Sequence, residues 1–193
     1  MGLILKKQDK NSLISVWEIN ESLDEIKRHF KNQELHNFKS RKRQLEFLCT
    51  RLLLKEINPE LKIEYNKFGA PELNNHNYVS ISHTNKLTCA IISKHQVGID
   101  IELISDRVFK IKDRFLSEKD NVELNNEEVT LAWSAKECMF KWFQKGNINF
   151  KKDIEITSIK YSPKKEINVK FRGASYILKF MKIQNHFLVY FCK

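Results

Sequence analysis

"VGIDIE", residues 97–102, alternates Val97, Ile99 and Ile101 with Gly98, Asp100 and Glu102. A period of two predicts a strand with one apolar face and one face bearing two carboxylates, about 7 Å apart at strand spacing. At an effective dielectric near 20 their repulsion is on the order of 2 kcal/mol, and in bulk water about a quarter of that. An exposed pair is harmless, and a solvated strand face is the simpler reading of this spacing taken alone. A pair that faces a cleft requires a cation.

The segments before this strand read as an α+β half. "SLISVWEI" (12–19) has strand alternation, and "ESLDEIKRHF" from Glu21 is helical in pattern. A stronger helix follows a Ser40 cap, with Leu45, Leu48, Cys49, Leu52 and Leu53 at helical spacing. Short strands are expected at "LKIEY" (61–65), "YVSIS" (78–82) and "LTCAIIS" (87–93), punctuated by the turn signals "KFGAPE" and "NNHN". Beyond "VGIDIEL" the order recurs. Residues 107–120, "RVFKIKDRFLSEKD", read as helical, and a longer helix runs from an Asn126 cap, with Glu127 and Glu128 in its first turn, to a Gly146 stop. Strands follow at "IEITSIKY", "INVKF", "SYILKFMKI" and "FLVYF". Two halves are therefore expected, residues 1–97 and 98–193, although no letter-by-letter repeat joins them.

The 193 residues are 41% hydrophobic, enough for a sizeable core, and a net charge of +10 favours anionic partners. Four scattered cysteines without a C-x-x-C pair imply neither a zinc site nor a disulfide framework, so a cytoplasmic setting is expected. The N-terminus lacks a secretory apolar region and the Ser or Thr of a myristoylation site, and no stretch approaches membrane-spanning length.

Four groups of residues are candidates for chemistry. Asp100 and Glu102 are hard oxygen donors which, with one more carboxylate, suit Mg²⁺. In "WSAKECMFK" (133–141) Glu137 and Lys141 stand four apart on one helical face, with Lys136 about a quarter-turn away. The plain reading is an ordinary i, i+4 ion pair, but Trp133, Met139, Phe140 and Phe143 require part of this helix to be buried. "VSISHT" (79–84) delivers Ser82 and His83 at a strand end, where they are either exposed polar groups or contacts to a nucleotide. "KSRKR" (39–43) opens a helix, so its Lys and Arg form either a solvated face or a phosphate seat beside free N–H groups.

In this order and at these separations, "SISHT", "VGIDIE" and "WSAKECMFK" resemble the motif set of the 4'-phosphopantetheinyl transferases. The closer likeness is to the monomeric, two-halved type that activates surfactin and enterobactin synthetases. The motifs span residues 79–141, and "RQLEFLCTRLLLKE" (43–56) is similar to the N-terminal helix of that family. The resemblance implies two similar α+β halves around a pseudo-twofold axis, with coenzyme A in the cleft between them. It implies transfer of 4'-phosphopantetheine from coenzyme A to a serine of an acyl or peptidyl carrier protein, with release of adenosine 3',5'-bisphosphate.

Carried over residue by residue, Asp100, Glu102 and Glu137 become Mg²⁺ ligands, and Glu137 is also the base toward the carrier serine. Lys141 steadies the pyrophosphate and Lys136 assists. Ser82 and His83 match contacts to the ribose 3'-phosphate region, and Lys42 and Arg43 fall near a phosphate-binding position. The segment from Arg107 to Leu124 corresponds to the carrier-docking region. There Arg107, Lys110, Lys112 and Arg114 face an acidic helix, and Phe109, Phe115 and Leu116 add apolar contact.

The sequence departs from the family at Ala70, where a lysine that often contacts coenzyme A is usual. Val79-Ser80 and Cys138 also differ from the common pattern, and Cys138 is read as packing. The remaining alternatives are a non-catalytic binder of coenzyme A or carrier, suggested by Ala70, and a basic nucleic-acid binder. The latter has no recognisable motif and no single basic stripe, so neither nucleic acid nor membrane is an expected partner.

Overall fold

The computed structural model describes residues 2–30, 38, 40–84 and 86–193; Lys39 of the basic cluster lies outside them. The chain order is β1 (Leu3–Asp9), β2 (Ser12–Glu18), α1 (Leu23–Lys27), α2 (Arg41–Ile57), β3 (Ile63–Tyr65), β4 (Pro71–Leu73), β5 (Tyr78–His83), β6 (Leu87–Ser93) and β7 (Val97–Leu103). It continues with α3 (Asp106–Phe109), a 3₁₀ turn at Lys112–Arg114, α4 (Asn126–Phe143), α5 (Phe150–Asp153), β8 (Ile154–Lys160), β9 (Glu166–Phe171), β10 (Ala174–Ile183) and β11 (His186–Cys192). The fold is α+β, with two antiparallel sheets in the orders β1-β2-β6-β5-β4-β3 and β7-β11-β10-β9-β8. The sheets divide between Ser93 and Val97, and each is backed by one long helix.

Three apolar clusters order the layers. Leu48, Cys49, Leu52 and Leu53 of α2 meet Val79, Ala90 and Ile92 on one face of the first sheet. Ile14, Val16, Leu87, Cys89 and Ile91, from its other face, pack on Val97, Ile99, Ile101, Leu188 and Tyr190 of the second. The opposite face of that sheet, with Phe187 and Val189, meets Leu131, Ala135, Cys138 and Met139 of α4. Strand alternation thus buries odd-numbered β7 residues between the sheets and turns Gly98, Asp100 and Glu102 toward α4. The register agrees, pairing Asp100 with Val189 and Glu102 with Phe187.

Several local expectations are corrected. The N-terminal apolar run is β1, in a hairpin with β2 that turns at Lys10, whose φ is +42°. Pro71 and Glu72, read as the end of a turn, belong with Leu73 to β4, which pairs with both β3 and β5. The first helix is a short one, α1, started by a Ser22–Glu25 capping box. Ser40 stands at the cap of α2 but makes no side-chain cap bond. The cap of α4 is Asn125, which accepts from the Glu128 N–H at 2.9 Å, and the helix closes on left-handed Gln144 before Gly146 is reached.

The largest difference lies at 107–120, where only α3 and one 3₁₀ turn form. Here the Phe115 carbonyl accepts from Lys136 Nζ (3.0 Å), and Asp120 binds the N–H groups of Ser117 and Ile156. Lys136 thus takes one carbonyl of this segment, and Asp120 ties the segment's end to β8.

Gly98 sets the distance between β7 and α4. A Cβ there would collide with the Cys138 carbonyl and stand 2.9 Å from the Trp142 Cβ. The obstructing atoms are helix backbone, so no rotamer relieves the clash. Gly98→Ala is expected to cost about 1–3 kcal/mol, read as a lower urea midpoint, because overpacking moves the helix off the strand. An unchanged midpoint would show that the strand and helix separate freely.

Candidate active site in the cleft between the halves

β5 and β7 bring the two halves together in polar rather than apolar contact. Val79 and Ile81 of β5 point to α2, so Ser80 and Ser82 point the other way, toward the second sheet. Ser80 Oγ accepts the Ile99 N–H at 3.1 Å. Ser82 Oγ donates to Asp100 Oδ1 at 2.8 Å, and from α4 Ser134 Oγ donates to Asp100 Oδ2 at 2.8 Å. Lys141 Nζ completes the group, 2.6 Å from Asp100 Oδ1 and 2.8 Å from Ser82 Oγ. Asp100 is 4% exposed, so its charge rests on these three partners.

Glu102 and Glu137 are half-buried beside this group. Burial, then the Asp100 and Glu102 charges, push the Glu137 carboxyl up to about 7, against the pull of Lys141. Burial and Asp100 likewise raise Glu102. Burial opposes the Lys141 charge, but Asp100 and Glu137 outweigh it and hold the ammonium above its ordinary value. Asp100, Glu102, Glu137 and Lys141 therefore form one electrostatic unit, a grouping that the family resemblance implied. Cys138, next to Glu137, is fully buried, and burial holds its thiol well above the ordinary value; it packs.

Next to this unit opens a cleft of about 450 Å³ whose walls include Arg43, Thr50, Ser80 and His83 from the first half and Phe140 and Lys141 from α4. At the start of α2, Glu46 is 4% exposed and surrounded by Lys42 at 3.8 Å, Arg43 at 3.5 Å and His83 at 3.5 Å. Arg43 and His83 also touch at 3.4 Å. Burial, then the Arg43 and Lys141 charges, depress the His83 pKa, with Glu46 pulling the other way. Cations gathered at a helix N-terminus whose cap side chain makes no bond suit an anionic ligand.

Ala70 lines the same cleft, in a turn where its N–H and that of Phe68 bond Asn66 Oδ1. The cleft's positive charge comes instead from Arg43, Lys141 and Arg51, whose guanidinium lies 3.2 Å from the centre of the Phe47 ring.

Lys136 is a correction. Its side chain is fully buried and its Nζ lies within 3.0 Å of the Phe115, Phe150 and Ile154 carbonyls and Asp120 Oδ2. A coenzyme contact is therefore out of its reach. Phe115 is likewise core at 1% exposure, while Arg107, Lys110 and Arg114 are exposed. Sequence reasoning passed over Ser134, Glu46 and Asp120. Helical spacing from Glu137 and from Lys42 and Arg43 marks the first two, but no local pattern marks Asp120.

The fit of a cation can be judged from the donors. Among the described residues no three His, Cys, Asp or Glu side chains already stand in a metal-holding arrangement. The donor chemistry nevertheless suits a hard cation, because Glu102 and Glu137 carry raised pKa values that a positive charge would relieve. Asp100 uses three of its roughly four lone-pair directions, leaving one on Oδ2.

Residues 96–188 match the family model described as the 4'-phosphopantetheinyl transferase superfamily. They contain β7, α4 and the whole carboxylate–lysine unit except Ser82. The chain is also 33% identical over 111 residues to the 4'-phosphopantetheinyl transferase gsp of Aneurinibacillus migulanus, an alignment covering 52% of this chain and 47% of that protein. The chain thus spans about half the length of this curated relative. The family match contains two of the three motifs, those at 97–102 and 133–141, whereas Arg43, Glu46, Ser82 and His83 lie outside it. No helix among the described residues is long and apolar enough to cross a membrane.

The opposing charges around Glu137 make a paired prediction. Lys141→Met should raise its pKa above about 7 and Asp100→Asn should lower it, both read by carbon-detected NMR titration of the glutamates. Shifts of the same sign in both variants would mean that the three groups do not share a field.

Proposed function

We propose that this chain is an enzyme that transfers 4'-phosphopantetheine from coenzyme A to a serine hydroxyl of an acyl or peptidyl carrier protein. The observation that carries this reading is the Asp100–Ser82–Lys141 group with Glu137 at one end of a cation-lined cleft. In this reading Arg43 and His83 take the 3'-phosphate of the coenzyme at the start of α2, with Lys42 and Ser82 nearby. Lys141, held protonated by Asp100 and Glu137, faces the pyrophosphate.

Glu137, with a pKa near neutrality, takes the proton of the carrier serine. The serine oxygen bonds the pantetheine-side phosphorus as the bond to the bridging oxygen breaks. That oxygen leaves on adenosine 3',5'-bisphosphate, with Lys141 offsetting its charge. Asp100, Glu102 and Glu137 would hold Mg²⁺, which supplies charge neutralisation on the pyrophosphate. Exposed Arg107, Lys110 and Arg114 beside α3 suit an acidic carrier surface.

Incubated with coenzyme A, Mg²⁺ and a panel of apo carrier proteins, the chain should add one phosphopantetheine to at least one carrier by intact mass. Glu137→Gln and Asp100→Ala should slow transfer at least about 100-fold while the protein still unfolds cooperatively. Tight coenzyme binding without transfer to any carrier would instead support the non-catalytic reading that Ala70 suggests.

The 3'-phosphate assignment has its own test. Coenzyme A should bind more tightly than 3'-dephospho-coenzyme A, and His83→Ala or Arg43→Ala should shrink that preference roughly tenfold by calorimetry, the worth of one charge-assisted hydrogen bond. Equal losses for both ligands would place the 3'-phosphate elsewhere.

A further inference from the structure

Outside the cleft, the side chain of Lys136, one residue before Glu137, meets four oxygen partners. Its ammonium is fully buried on α4 and lies 2.8 Å from Asp120 Oδ2, which is equally buried. It also lies 3.0 Å from the Phe115 carbonyl, 3.0 Å from that of Phe150 and 2.8 Å from that of Ile154. Two stretches of backbone distant in sequence, at 115 and at 150–154, thus meet on one nitrogen.

Asp120 extends the junction. Its Oδ2 accepts from Ser117 N–H at 2.7 Å and Ser117 Oγ at 3.0 Å, and its Oδ1 accepts from Ile156 N–H at 2.8 Å. The backbone so held carries rings back toward the reacting groups. Phe115 packs edge-on against Trp133 with centroids 4.9 Å apart, and Phe150 lies 5.6 Å from Trp133 and 6.0 Å from Phe140. Trp133 and Phe140 flank Glu137 on α4. On the solvent side, the same two segments supply Leu116, Glu118, Lys119, Lys151 and Lys152 to an open groove of about 780 Å³ whose lining also includes Lys112 and Asp113.

Few features of this region are regular enough to hold themselves. α3 and α5 are four residues each, with a three-residue 3₁₀ turn between α3 and α4. Such short turns are not stable without tertiary support. A buried ammonium with oxygen partners from several segments gives one fixed arrangement, because any displacement strands a charge away from water.

We propose that Lys136, with Asp120, is a positioning residue that ties residues 115–120 and 150–154 to α4, so that the groove they form stands in one fixed relation to Glu137 and Lys141. The inference rests on the transferase reading in taking this surface as the side from which the carrier arrives. The Lys136 side chain is closed off from the cleft, so its loss should act on the carrier and not on coenzyme binding.

The test uses the full chain with Lys136→Met, Asp120→Leu and the double substitution, which removes both buried charges and so keeps a foldable protein if a single variant does not fold. In the double variant the carrier KM should rise at least tenfold, coenzyme A affinity should stay within about twofold, and amide exchange should quicken at 115–121 and 154–156 but not in α2. An unchanged carrier KM overturns the proposal, and so does a tenfold loss of coenzyme affinity, which would return Lys136 to the coenzyme site. If the wild-type chain transfers nothing to any carrier, the functional reading falls, and amide exchange alone then decides the tie: unaltered protection at 115–121 in the double variant overturns it.

Discussion

The carboxylate of Asp100 is the constraint on which the site and the junction of the halves both depend. It is 4% exposed, and its three partners come from two other elements: Ser82 on β5, Ser134 and Lys141 on α4. A carboxylate taken from water costs several kcal/mol unless each oxygen is matched, so β5, β7 and α4 must meet in one arrangement for the charge to be tolerated. The first half supplies a hydroxyl, the second the carboxylate and the ammonium. The apolar cluster between the sheets brings the halves together without direction, and this polar group gives the contact its register.

The same arrangement explains why charge concentrates where it does. Odd-numbered β7 residues are needed for the apolar contact between sheets, which leaves even-numbered positions for the helix side. Gly98 occupies the point of closest approach, and further along the strand Asp100 and Glu102 take the same face as Glu137 and Lys141 of α4. Burial first, and then the like charges of Asp100 and Glu102, favour the protonated carboxyl, which is why Glu137 is pushed up to about 7. The fold thus stores an electrostatic deficit beside a cleft whose opposite end is ringed by Arg43, His83 and Lys42 around buried Glu46. The cleft thus offers Arg43, His83 and Lys141 to an anionic ligand.

Lys136 and Lys141 show how little a side chain's type says about its work. Both are lysines on α4, five residues apart, so they project from different sides of the helix. Lys141 reaches the cleft and keeps 24% of its side chain exposed, whereas Lys136 is closed off among carbonyl groups of the 115–120 and 150–154 segments. A motif in which both stand near a glutamate invites giving both to the same ligand. The structure separates them.

Much of this was legible in the chain itself. Period-two alternation marked β2, β6, β7 and the strands after Ile154, and helical spacing marked α2 and α4, because those segments each bury one continuous face. The grouping of Asp100, Glu102, Glu137, Lys141, Ser82 and His83 was readable from motif order. What only the tertiary structure decided involves partners far apart in sequence. The 107–120 segment has helical composition, yet it breaks into short turns whose Phe115 carbonyl is taken by Lys136, and no local pattern reveals a competing donor 21 residues away. β1 and β4 exist because a neighbouring strand supplies their hydrogen bonds. The removal of Lys136 from the cleft has the same origin: sequence determines which face of a helix a residue occupies, but what lies against that face is settled by the rest of the chain.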